Sequence, residues 1–217
     1  MYYVSVSVLE KFRRYLDEVS EFDTKEAVLE AITGRFVPND KVIVGQAYHK
    51  MIEALSKYNN YYPDIILFDE KQIEPARKFV SSLKVVGNEI SVYKQYGNYK
   101  VGGRIDILEP DTIRDVKVTF KFPSYDEYFD SYQWRFYCDI LEMERFLYDI
   151  FVVHDFAGLN SDMFPVPIPD AKIEYDDPPI ECLAYNNMQS DIKLLVKEFD
   201  KFIKVNEYEN LLKTVQL

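Results

Sequence analysis

Cysteine is nearly absent: among 217 residues only Cys138 and Cys182 occur, and they make no CxxC pair. They cannot supply the four thiolates of a zinc or iron–sulfur site. Their number leaves one disulfide open. The opening Met1-Tyr2-Tyr3-Val4 has neither a basic region nor a long apolar run, which points to a reducing cytosol. No stretch approaches 18 uncharged apolar residues, so no membrane partner is expected. A phosphate-cradling GxxxxGK(S/T) loop is missing too, and any helicase activity would sit on another chain. Positive charge is scarce: 26 Lys and Arg face 37 Asp and Glu, a net charge of −11. That balance argues against a general polyanion binder, which needs a field of cations over the phosphates. A small basic site inside an acidic body is still compatible with it.

What the chain does have is core material. Hydrophobic residues make up 47% and aromatics 16%, with 18 Tyr and 15 Phe, which excludes disordered and fibrous classes. No internal repeat or linker divides it. We read residues 1–217 as a single domain, with a helical part at 1–88, a core at 89–156 and an addition at 157–217.

Helical spacing of apolar residues predicts helices over Ser7–Tyr15, from Thr24 to Gly34, over Lys41–Tyr58 and over Glu70–Leu83, the last carrying Pro75 in its first half. Ile90–Tyr96 and Tyr99–Leu108, joined by Gly97-Asn98, read as a hairpin, and Ile113–Phe120 as a third strand. Ser124 to about Leu147 lacks Gly and Pro and predicts one long amphipathic helix. Ile150–Phe156 then reads as a buried strand, Phe164–Tyr175 as an edge strand interrupted by prolines, and Asn187–Lys204 as a closing helix. The order implies an α/β fold with a central mixed sheet flanked by helices.

The chemistry concentrates between Val101 and Thr119. Asp106 and Asp115, nine residues apart on adjacent strands, can lie side by side, and Lys117 projects from the same face as Asp115. Carboxylates are hard ligands suited to Mg²⁺ or Mn²⁺, and a nearby ammonium can orient water or stabilise a phosphate. Asp-x-Lys alone is weak, since it also occurs at Asp23, Asp69, Asp170 and Asp191. Only Asp115 stands in a β-prone run whose hairpin partner carries an Asp. His154 has no motif around it and reads as structural.

Together with four further features these residues resemble the RecB-like branch of the PD-(D/E)XK nuclease superfamily, over about two thirds of the chain. Ser5-Val-Ser7-Val-Leu9 looks like its opening, Gly45-x-x-x-His49 like its metal-binding histidine, Gly102-Gly-Arg-Ile-Asp106 like its first acidic strand, Asp115-Val-Lys117 like its Asp-x-Lys strand, and Gln133-x-x-x-Tyr137 like its helix motif. Glu89 stands where many members carry an acid, although a solvated strand-start residue fits the position equally well. The resemblance implies a restriction-endonuclease-like core and metal-dependent phosphodiester hydrolysis. His49, Asp106, Asp115 and the Val116 carbonyl would hold one or two Mg²⁺ or Mn²⁺ ions, and Lys117 would position or help deprotonate the water. Gln133 and Tyr137, one helical turn apart, would bind DNA or brace Lys117. Arg104, Lys121 and Arg135 are the expected DNA contacts. The iron–sulfur members flank their core with four cysteines; this chain has none at matching places, so no cluster is expected.

The function implied is a stand-alone DNA nuclease, an exonuclease of phage or bacterial recombination and repair. DNA, linear duplex or single-stranded, would be its partner, with a recombination or annealing protein and self-association as further partners to test. The competing reading is a non-catalytic nuclease-fold subunit or an acidic DNA mimic, motivated by the −11 charge. Dividing that charge weakens the competitor. Residues 94–121 hold six basic and four acidic side chains, a local balance of +2 in a chain whose remainder carries −13.

Overall fold

The computed structural model describes residues 1–122, 124–159 and 162–214. In chain order the elements are β1 (Tyr2–Ser5), α1 (Val6–Leu16), α2 (Lys25–Thr33), α3 (Asp40–Tyr58), β2 (Ile66–Leu67), α4 (Glu70–Ser82), β3 (Gly87–Tyr96), β4 (Tyr99–Leu108) and β5 (Ile113–Thr119). Then follow α5 (Tyr125–Asp130), α6 (Tyr132–Leu141), β6 (Arg145–His154), β7 (Val166–Pro167), β8 (Lys172–Leu183), α7 (Met188–Val205), a 3₁₀ turn and β9 (Lys213–Thr214). Seven strands form one mixed sheet in the order β8-β6-β5-β4-β1-β9, with β3 also on β4, and β2 pairs with β7 apart from it.

Two apolar cores lie on opposite faces of this sheet. One gathers α1, α6 and α7 around Phe12, Phe136, Tyr148 and Phe199; the other gathers α3 and α4 around Tyr48, Phe68, Phe79 and Phe151. This is an α/β layered architecture, a mixed sheet with helices on both faces. No described helix is long and apolar enough to cross a membrane. Both cysteines are buried and free among the described residues.

Local chemistry sets the helix ends. Ser5, Thr24, Asn39 and Asp69 each accept a backbone N–H from the first turn of α1, α2, α3 and α4. In α4, Gln72 answers the Asp69 cap reciprocally, and burial of Ile73, Ala76 and Phe79 carries the helix through Pro75. Pro75 removes one backbone hydrogen bond, and that loss is smaller than the apolar area the helix buries.

Three expectations are corrected. The long helix over 124–147 is two helices, because Ser131 adopts an extended ψ of 138°, closes α5 and caps α6. Glu10 of α1 takes the next free donor, Tyr132 N–H, at 2.6 Å. The second helix stops at Glu142, a left-handed residue with φ 56° that neither Gly nor Pro announces. The strand expected at 150–156 therefore starts earlier, at Arg145, and lies buried between β5 and β8. The edge strand expected at 164–175 is instead β7 and, further on, β8 at Lys172–Leu183; β8 lies at the sheet edge, where Pro178 and Pro179 leave few ladder bonds unmade. The strand β1, absent from the sequence reading, is four residues long and pairs parallel with β4.

Candidate active site

The site grows from a fault in β4. Strand β3 pairs along nearly all of one edge of β4, while the other edge is shared: β1 takes Tyr99–Gly102 and β5 takes only Ile107 and Leu108. Between them the edge is open at Gly103–Asp106. Ile105 packs into the α6 core and Ile107 into the α3 core, so the side-chain alternation resets at Asp106. The β3 partner is irregular as well: Asn88 pairs with Ile107 and Ile90 with Ile105, leaving Glu89 outside the ladder with φ 54°. Both carboxylates are thus freed from strand geometry at one point. The Val116 amide, lacking a β4 carbonyl, donates to Asp106 Oδ2 at 2.8 Å.

Helix α3 brings its polar face to this gap. Its apolar stripe (Val44, Tyr48, Met51, Ile52, Leu55) is buried, which turns Gly45, His49 and Glu53 toward the sheet end. His49 Nε2 lies 2.9 Å from Asp106 Oδ2, and its Nδ1 lies 3.8 Å from Glu89 Oε1. Glu89 Oε2 pairs with Arg104. One donor atom each from His49, Glu89 and Asp106 falls within 4.8 Å of the others. Trans donors around Mg²⁺ stand about 4.2 Å apart, so small inward movements would close the set on one hard cation. Its chemistry fits Mg²⁺ or Mn²⁺, two oxygens and one imidazole nitrogen. Glu89 Oε2 and Asp115 Oδ2 are buried and already face the cationic side chains of Arg104 and Lys117, so the fit rests on the donor set itself.

Asp115, expected among the metal ligands, is drawn in this structure into a polar triangle beside the set. Gln133 Nε2 donates to Asp115 Oδ1 at 2.7 Å, Lys117 Nζ donates to Gln133 Oε1 at 3.0 Å, and Lys117 Nζ lies 2.6 Å from Asp115 Oδ2. Val116, expected to offer its carbonyl, lines the cleft, and its N–H holds Asp106.

Electrostatics separates the roles. Burial pushes Asp115 up to about 6, with Lys117 opposing and Asp106 adding to the rise. Burial would lower Lys117, but Asp115 and Asp106 outweigh it and the ammonium stays charged. His49 is likewise lowered by burial and, on balance, raised by its hydrogen bond to Asp106 and by Glu89. Glu89 is raised, by burial first and by Asp106 after the opposing His49. With its proton held, Lys117 is a fixed cation bonded to Gln133 and set against Asp115.

Tyr137 sits deeper than a DNA contact would. It is buried, its ring stacks on Phe146, and its hydroxyl donates to the Arg104 carbonyl at 3.2 Å on the open edge of β4. A Cβ on Gly103 would come 2.3 Å from that hydroxyl and 3.0 Å from the ring carbon bearing it. Gly103→Ala is therefore expected to cost about 1–3 kcal/mol in thermal unfolding, with part regained when Tyr137→Phe is added. Full stability in the single variant would contradict this packing.

A cleft of about 1040 Å³ covers the site, walled by α3 and by β5. Lys41, Lys50, Arg104, Lys117 and Lys121 line it, against the single acid Glu53. Arg104 and Lys121, two of the three residues expected to contact DNA, line this cleft. Arg135 does not: it lies on the side of α6 away from Gln133, over the rings of Tyr132, Trp134 and Tyr185. Lys41 and Lys50 were missed, although they flank His49 on the polar stripe of α3. The other Asp-x-Lys pairs lie apart from the cleft. Asp23 binds Lys11 and Arg14, and Asp69 caps α4.

No protein-family model and no curated protein matches the sequence. Among solved structures, a candidate exonuclease from Eubacterium rectale is similar in fold, at 15% identity, with a TM-score of 0.52 over 96% of this chain and 82% of that one. LHK-Exo, solved in complex with dAMP, is 9% identical with a TM-score of 0.45, covering 95% and 92%. The chain shares the fold of the Eubacterium rectale structure, a central mixed sheet flanked by helices, in keeping with the restriction-endonuclease-like core expected from the sequence.

Proposed function

We propose that the protein is a metal-dependent DNA nuclease of the RecB-like kind, hydrolysing phosphodiester bonds as an exonuclease in recombination or repair. The observation that carries this reading is the convergence of His49, Glu89 and Asp106 donor atoms, with His49 also lining a basic cleft and the Asp115–Gln133–Lys117 triangle alongside. A bound Mg²⁺ or Mn²⁺ supplies Lewis acidity at the phosphate and an acidified water. The chain's own groups do the rest. Lys41, Lys50 and Lys121 align the backbone in the cleft. Lys117, held by Gln133, directs its N–H donors at the charge that builds on the phosphoryl oxygens. Asp106, fixed by the Val116 amide, keeps His49 oriented. The short row of cations fits a weak, salt-sensitive grip on DNA.

The experiment is nucleotide release from linear duplex and single-stranded DNA with Mg²⁺ or Mn²⁺, comparing wild type, Asp115→Ala and Lys117→Ala. Release should require the metal and both residues. Activity that survives both substitutions or excess chelator would sink the mechanism. An acidic DNA mimic would instead show neither release nor a stoichiometric Mn²⁺ site dependent on Asp106.

A further inference from the structure

The cleft continues beyond the carboxylates. Past Thr119 its floor runs onto Phe120, and Phe120 and Lys41 also line a second cavity of about 390 Å³ reaching to His154 and Phe156. Aromatic rings dominate this extension. Phe120 and Phe156 pair with centroids 5.2 Å apart, and Phe122 lies 5.8 Å from the His154 ring. Phe122 is 77% exposed. It is presented by a turn in which Thr119 Oγ1 donates to the Lys121 carbonyl at 2.9 Å. Lys41 Nζ stands 5.5 Å from the Phe120 ring. Of the nearby acids, Asp155 pairs with Lys172 at 3.0 Å, and the exposed Glu174 lies 3.6 Å from His154 Nε2.

Phe120 packs against the α3 core with Lys41 over its ring, whereas Phe122, which follows Lys121, and His154 belong to neither core and meet each other at the surface. Rings interleaved with cations are what an unpaired strand requires, because every base offers a π-face and every linkage a charge. A base inside a duplex is stacked on both sides and has no free face to give. Phe120 follows Lys117 by three residues, about 10 Å along an extended strand, so a base on this rim would belong to a nucleotide close to the phosphate at Lys117.

We propose that Phe120, Phe122 and His154 form a stacking subsite for an unpaired nucleobase, so that the cleft takes a single-stranded DNA end in preference to intact duplex. The proposal rests on the nuclease reading above and adds its substrate class.

The test compares a dT oligonucleotide, the same strand with abasic terminal nucleotides, and a blunt duplex. Binding is read by fluorescence anisotropy with Mn²⁺ in a Lys117→Ala background, and hydrolysis in the otherwise unaltered protein. Phe122→Ala combined with His154→Ala should weaken binding of the dT strand about tenfold and raise its KM with little change in kcat. Duplex binding should move less than about twofold, abasic ends should mimic the substitution, and Phe122→Trp should retain full binding. Equal losses on strand and duplex, or no loss on either, would overturn the subsite while Asp106-dependent hydrolysis in the same preparation leaves the nuclease reading standing. Absence of hydrolysis in the wild type would overturn both.

Discussion

Glu89→Gln is expected to weaken Mn²⁺ binding at least about 100-fold and to lower DNA hydrolysis by a factor on the order of 1000, matching Asp106→Asn. Glu89 earns this expectation by position. It leaves the β3 ladder at φ 54°, is nearly buried at its carboxylate, and puts Oε1 toward His49 and Oε2 toward Arg104. A left-handed glutamate costs backbone energy, about 1–3 kcal/mol, and at Glu89, unlike the exposed Glu18 and Glu207 that share this conformation, it coincides with a nearly buried carboxylate. Gln keeps the size and the conformational cost and removes the charge. Isothermal calorimetry with Mn²⁺, beside a DNA-release assay and a thermal melt, separates lost ligation from lost folding. Unchanged Mn²⁺ affinity in a folded Glu89→Gln protein would return Glu89 to a strand-start carboxylate.

The second large effect concerns stability and lies away from the cleft. Asp149, wholly buried on β6, receives Arg114 at 2.8 Å and the Tyr175 hydroxyl at 2.8 Å, while Arg114 also binds Glu109 at 2.6 Å. Arg114→Ala leaves a buried carboxylate without its cation, a loss of about 3–5 kcal/mol, whereas Asp149→Asn, which keeps the shape, should cost less. Chemical denaturation at pH 7 measures both. A loss under about 1 kcal/mol for Arg114→Ala would show the pair to be solvated after all. The same network sets a pH dependence. Burial raises Asp149 to about 6 despite Arg114, above its ordinary unfolded value near 3.8. Between those values the native state holds more protons than the unfolded chain, so this contribution is complete below about pH 4 and is lost as pH rises through about 6. Asp149→Asn should flatten that fall in the stability profile. A profile unchanged by the substitution would assign the slope to other groups.

Much of the site was legible before any coordinates. Asp106, Asp115 and Lys117 on neighbouring strands follow from periodicity, which is local, whereas His49, Gln133 and Tyr137 were singled out by their resemblance to family motifs. The roles within the set were less legible. Tyr137 proved to brace the Arg104 carbonyl, and Arg135 lies over rings on the far side of α6. Both outcomes depend on which face of α6 meets β4. The break at Ser131 and the stop at Glu142 escaped because hydrophobic spacing runs through them, and the groups that made them, the Glu10 carboxylate and a left-handed glutamate, act across space or against propensity.

The scarcity of cysteine and of positive charge was decided by the sequence alone, and so were the helix caps, the hairpin at Gly97-Asn98 and the residue types able to hold a hard cation. Composition and short-range spacing need only neighbours a few residues away. Tertiary structure decided which carboxylates meet. It let β1 and β5 share one edge of β4, opened that edge at Gly103–Asp106, reset the alternation between Ile105 and Ile107, and lifted Glu89 out of its ladder to face His49. It also gathered five cations of an acidic chain around one cleft. Net charge is a sum over the chain, and a binding site is a local field, which only the fold can arrange.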